Sequence, residues 1–173
     1  RLTKKERKSK ELFNTVVDEY VPVKQSKNRD LVDQWIKSLD DDAQFNFSSY
    51  AECFISENLL RKYIKHKNID ISHLEGTLKD YKNREATAKN IGNVSFEIRK
   101  NNDDLNYLSM DDLAATADKP KDRLKDASIL RDAKTYKPVR DDMAHTSILT
   151  EVAKTSLNMT FQNIKARIKT LLS

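Results

Sequence analysis

Glycine is nearly missing from this chain, with two in 173 residues, and proline occurs only three times. Sandwiches and doubly wound sheets draw on glycine at their turns, so the scarcity argues against them and for an all-α fold. It also excludes a glycine-rich phosphate loop, because Gly76 and Gly92 each stand alone. Cysteine occurs once, at Cys53. That excludes an internal disulfide framework and a cysteine-built zinc site, and it fits a reducing, cytoplasmic setting. Cys53 falls among apolar residues at helical spacing, where a small core residue is the simpler reading than a nucleophile. Histidine is scarce, and His66 and His73 lack a second ligand pair, so neither a metal nor another cofactor is expected. No apolar run approaches the roughly 20 residues of a membrane span, and no membrane partner is expected.

Charge is what the chain has in abundance. Charged residues make up 34%, and 32 lysines and arginines against 27 acids give a net charge of +5. Part of the excess sits in Arg1, Lys4, Lys5, Arg7, Lys8 and Lys10. A modest basic balance permits nucleic-acid binding without requiring it. The length suits one core with an appendage and is short for two. A chain that begins at Arg1 rather than Met is expected to be a piece of something longer.

Apolar spacing and punctuation predict a series of helices. Thr3 and Glu6 have the form of a capping box before a helix over residues 3–20, which Pro22 breaks. A second helix is expected over 28–39, with Leu31, Val32, Trp35, Ile36 and Leu39 on one side, ending at Asp40, Asp41 and Asp42. Ser49 and Glu52 read as a capping box opening a helix to residue 67, striped by Tyr50, Cys53, Phe54, Leu60 and Ile64. Ser72 and Glu75 read as another, opening a polar helix to residue 90 that Gly92 closes. Residues 94–102 read as an extended connection. Ser109 caps a short helix over 110–117, closed by Lys119 and Pro120, and a further helix is expected over 121–135 with Leu124, Ala127, Ile129 and Leu130 inward. Leu157, Phe161, Ile164, Ile168 and Leu171 then give the clearest helical stripe in the chain.

Candidate chemistry precedes that stripe, at Arg140, Asp141, Asp142, Met143, Ala144 and His145. Pro138 suits the first turn of a helix, and Asp141 and Asp142 would complement its positive end. Five residues of ideal helix turn through roughly 500°, leaving Arg140 and His145 about 140° apart. Either Arg140 lies in a loop or first turn, or the two side chains converge on those of a second copy. The residue types suit a phosphodiester. An arginine fork binds two phosphate oxygens and stabilises charge building on them. Histidine as a residue type titrates near neutrality and can move a proton from a ribose 2′-hydroxyl or to a leaving oxygen. Upstream, Glu57 falls in line with Phe54 and Ile64 on the apolar face of its helix. A carboxylate there either meets an arginine or sits at the edge of the face in water.

The run from Arg140 to His145 resembles the signature of the HEPN superfamily, an arginine followed after four to six residues by histidine, at the entry to the last long helix of a bundle. Glu57, followed by Arg61 and Lys62, resembles the family's earlier core helix, in which an acid precedes a basic pair. The resemblance covers residues 48 to 172. It implies an all-α, HEPN-like bundle over 48–173, with residues 1–47 as an N-terminal helical extension and 72–117 as an insertion. It implies a metal-independent endoribonuclease, cytoplasmic, acting in defence or as a toxin. The partners implied are RNA, a second copy completing the site, and an antitoxin, an activator or further domains of a longer chain. By position, Arg140 would bind the scissile phosphate and His145 would transfer protons. Asp141 would stand where asparagine is often found, and Glu57 would orient Arg140. The alternative is an inactive module of the same fold, kept for dimerisation, regulation or RNA binding.

Overall fold

A computed structural model describes residues 29–92, 94–100, 103–118, 121 and 128–173. Most of these residues are helical and none forms a strand, so the fold is all-α. The basic cluster of residues 1–10, the helix expected over 3–20, Pro22, Lys119, Pro120, Leu124 and Ala127 lie outside the described residues.

The chain divides into two compact units, Arg1–Asp41 and Asp42–Ser173. In the first, residues 29–41 belong to helix α1, Arg29–His66. Leu31, Val32, Trp35, Ile36 and Leu39 recur there at helical spacing as expected, yet all are exposed.

Unbroken helix over Arg29–His66 corrects the sequence reading, which ends one helix at Asp40 and begins another at Ser49. Asp40 and Asp41 are exposed and Asp42 is half-buried, so all three reach water from the helix without competing for its backbone. Ser49 is not a cap: it lies inside α1 and is buried. The stripe is corrected too. The packed face of α1 in the second unit is Ser49, Cys53, Ser56, Leu60, Tyr63 and Ile64, whereas Tyr50 and Phe54 are exposed. Serine keeps this face narrow, and side chains so small let a neighbouring element approach the helix backbone closely.

A second correction concerns Ser72. It does not cap the following helix; the Asp70 carboxylate accepts from the Ser72 backbone N–H at 2.9 Å and from its hydroxyl at 2.6 Å. That local turn draws Ser72–Leu74 into a single 3₁₀ turn, and helix α2, Glu75–Asn90, starts without a side-chain cap. Its end is as expected, with Ile91 at the C-cap and Gly92 at φ +76°, the left-handed position past a helix end. Leu78 is the one buried residue of α2, in keeping with an outer helix. Residues 94–100 form bends without regular structure, and Asp103 caps a 3₁₀ turn, Asp104–Asn106. Helix α3, Met110–Ala117, opens on a capping box formed by Ser109 and Asp112, and it buries Met110, Leu113, Ala114, Thr116 and Ala117.

Helix α4, Ile129–Ala144, corrects the reading of Pro138 as a helix start. Ser128 caps α4 through the Arg131 N–H at 3.1 Å, and Pro138 lies in the helix interior. Proline returns no hydrogen bond to the carbonyl four residues back, at Lys134. Pro138 is exposed, and the helix is fixed on both sides of it by buried Ile129, Ala133 and Tyr136 and by Val139 and Met143 packed on the core. Asp141 and Asp142 therefore stand in the last turn, at the negative end of the dipole, opposite to the expected placement. Helix α5, Glu151–Leu172, is capped by Thr150 and buries Leu157, Thr160, Ile164 and Ile168. α4 packs against both α3 and α5. Residues such as Leu60, Leu113, Ile129 and Ile164 are fully enclosed in this core, each worth about 1.5–3 kcal/mol of apolar burial.

Candidate functional site

Three side chains from two helices of the second unit converge on Glu57. From α1, Arg61 Nη2 donates to Glu57 Oε2 at 3.0 Å, an i, i+4 pair with both side chains about five-sixths covered. From α4, the Tyr136 hydroxyl lies 3.2 Å from Glu57 Oε1 and 3.1 Å from the Cys53 carbonyl, its one proton shared between two acceptors. Arg140 Nε, also from α4, stands 3.6 Å from Glu57 Oε1. The carboxylate on the apolar face thus has arginine and tyrosine partners, and the reading that leaves it at a wet edge is set aside. Arg61 carries the contact to a third segment, donating through Nε to the Leu105 carbonyl at 3.0 Å and through Nη2 towards that of Leu108. This anchoring role was missed in the sequence, because the acceptors are backbone carbonyls far along the chain.

Arg140 is about half exposed. Its Nη1 donates to Asp141 Oδ1 at 3.1 Å. Burial alone would lower the pKa of its guanidinium, but the Glu57 charge and the Asp141 hydrogen bond outweigh that and hold it above its usual value. Burial first, and the Glu57 charge second, push the Tyr136 phenol up. Burial pushes the Cys53 thiol up to about 11, so it is no poised nucleophile.

Arg140 borders an open groove of about 590 Å³ whose walls also present Tyr50, Phe54, Arg61, Arg99 and Lys100. Four cations face a single carboxylate, Glu57, in this lining. Two of the four are tied down: Arg61 as above, and Arg99 by Glu85 at 3.2 Å, by the Asn106 carbonyl at 2.9 Å and over the Tyr107 ring. Lys100 makes no ion pair or hydrogen bond among the described residues. Asp141 lines a separate cleft of about 60 Å³ that shares Glu57 and Arg140 with the groove.

Of the four residues singled out in the sequence, Glu57, Arg140 and Asp141 are in contact and His145 is not. His145 is the C-cap of α4 at φ −87°, exposed, and its imidazole has no partner among the described residues. It stands next to Ala144, which lines the groove, without lining it itself. Thr146 follows in the left-handed region at φ +62°. Its N–H donates to the Met143 carbonyl and that of Ser147 to the Asp142 carbonyl, both at 3.0 Å, the paired bonds of a Schellman turn. The loop beyond is fixed to α1 by Asn46, whose amide donates to the Ser147 carbonyl at 2.8 Å and accepts from the Leu149 N–H at 3.2 Å.

Among the described residues no group of three or more histidine, cysteine or acidic side chains is placed to hold a metal, and no helix is long and apolar enough to cross a membrane. In comparisons with known proteins, no family model, no curated protein and no solved structure matches this chain.

Proposed function

We propose that this chain is a metal-independent endoribonuclease module of the HEPN type, with Arg140 as the phosphate-binding group, His145 as the proton-transfer group, and a second copy completing the site. The observation that carries the reading is the setting of Arg140: a half-exposed guanidinium on a groove lined with cations, steadied from behind by Glu57. An arginine held this way keeps Nη2 for a phosphate oxygen and needs no reorganisation as charge builds. In the reaction, a histidine takes the ribose 2′-hydroxyl proton and the 2′-oxygen attacks phosphorus. The 5′-oxygen then leaves with a proton, giving a 2′,3′-cyclic phosphate and a 5′-hydroxyl. One histidine beside each arginine does not supply both proton transfers at once. A pair of copies does, and the exposed, unpartnered His145 suits a group that meets its target across such a junction.

The test is cleavage of varied RNAs by the full chain with and without a chelator. The expected result is cleavage unchanged by chelation, cyclic phosphate ends, and a loss of about a hundredfold or more in both Arg140→Ala and His145→Ala. RNA left intact by wild type at high protein concentration would overturn the enzyme reading.

One observation favours a second reading, an inactive module of the same fold that binds RNA or regulates a partner. Two of the Arg140 nitrogens already face carboxylates, Glu57 and Asp141, which reduces the positive charge offered to a phosphate. RNA bound with a steep salt dependence but unchanged in length would select this alternative.

A further inference from the structure

Packing in α1 leaves an unusual surface beside the groove. The small residues Ser49, Cys53 and Ser56 take the buried face, so the large aromatics next to them are turned out: Phe47 is 67% exposed, Tyr50 61% and Phe54 60%. They are spaced i, i+3, i+7, which stacks them along one side of the helix at a rise of roughly 4.5 and 6 Å. Tyr50 and Phe54 line the same groove as Arg99, Lys100 and Arg140. Large exposed aromatics grouped in this way mark an interaction surface more often than a solvated one. The charge alongside selects among occupants, because an apolar protein face gains nothing from three cations on its border, whereas a polyanion with flat apolar bases uses both features.

We infer that Phe47, Tyr50 and Phe54 form a stacking ladder for the unpaired bases of a single-stranded RNA, whose phosphates lie along Lys100 and Arg140. The inference rests on the proposed handling of RNA and names the form of RNA taken: single-stranded, with bases free to turn towards the helix. A duplex keeps its bases stacked on one another and offers only backbone, so it meets the cations but not the ladder. Stacking is tolerant of base identity, since every base has a π face, and the groove then selects strandedness rather than sequence.

The experiment measures binding of the full chain to three 12-mers: a single-stranded RNA, a blunt RNA duplex, and an abasic ribose-phosphate strand. All carry 2′-O-methyl groups, which block attack by the 2′-oxygen and separate binding from cleavage. The single strand is expected to bind tightest. Phe54→Ala and Tyr50→Ala should each weaken it roughly tenfold, and Phe47→Ala somewhat less. Phe54→Tyr and Tyr50→Phe should restore binding, and affinity for the abasic strand should not change. Alanine variants that bind the single strand like wild type would overturn the inference. So would equal losses for the single and abasic strands, or variants that instead change the oligomeric mass, which would make the row a junction between copies. If the ladder behaves as expected while unmodified RNA stays uncut, the ribonuclease reading fails and this inference stands.

Discussion

Glu57 stands between two arginines that lead opposite lives. Arg61 spends its donors inside the protein, on Glu57 and on the carbonyls of Leu105 and Leu108. Arg140 meets the same carboxylate at a looser 3.6 Å, is about half exposed, and faces the groove. Two cations of the same type around one acid thus separate into a strut and a free hand. What separates them is cover and the backbone acceptors within reach: Arg61 is mostly covered and meets two carbonyls, whereas Arg140 is half exposed and meets none.

Stability measurements on the two arginines would sharpen that contrast or break it. The largest effect is expected on the enclosed side: Arg61→Ala or Glu57→Ala should lower unfolding free energy by about 2–4 kcal/mol in a denaturant titration, because each leaves covered polar groups without partners. Arg140→Ala should change it by less than about 1 kcal/mol, as a half-exposed ion pair is screened by water. Equal losses for the two arginines would erase the distinction.

Tyr136 comes next. Its phenol is held protonated by burial and by the Glu57 charge, so its folded-state pKa is raised above the unfolded value. Between the two values the folded state binds the extra proton. The contribution is therefore complete below the ordinary tyrosine range of about 10 and is lost as pH rises above it. Tyr136→Phe should cost about 1 kcal/mol at neutral pH, from the lost hydroxyl bonds, and should flatten the fall in stability above pH ~10. An unchanged alkaline slope would remove Tyr136 from the Glu57 cluster as a titrating member.

The smallest effect concerns the turn after His145. Thr146, β-branched and at φ +62°, occupies the position glycine usually holds, so Thr146→Gly should stabilise the chain by up to about 1 kcal/mol without changing RNA binding. A loss of stability would mean that the threonine side chain contributes more than its backbone strain costs.

Much of the fold could be read where local chemistry is self-sufficient. Ser109 as a cap, Gly92 after Asn90, and the helix striped from Leu157 to Leu171 each carry their own signal, and each stands in the structure as read, save that Thr160 is buried and Phe161 only partly. The failures share another cause. Ser49 with Glu52, and Ser72 with Glu75, have the same letters as a capping box, but a serine inside a packed helix or beside Asp70 makes different bonds. Pro138 reads as a start because a proline after the helix expected to end at residue 135 suggests a new one, and nothing local reveals that the helix burying Ile129, Ala133 and Tyr136 runs on through it. At the site, Glu57 was visible as a polar residue in an apolar row. The exposure of Tyr50 and Phe54 was not, because hydropathy assigns aromatics inward and is blind to a seam built from serine and cysteine.

That seam gives the chain a built-in clock. Cys53, the only thiol in the sequence, is enclosed on the packed face of α1, and burial holds it protonated. Cys53 is among the residues that line the groove but is only 5% exposed, so a thiol-labelling reagent reaches it freely only when α1 lifts from its neighbours. At low reagent concentration the labelling rate reports how large a fraction of the molecules is open. At saturating reagent it reports how often the opening occurs.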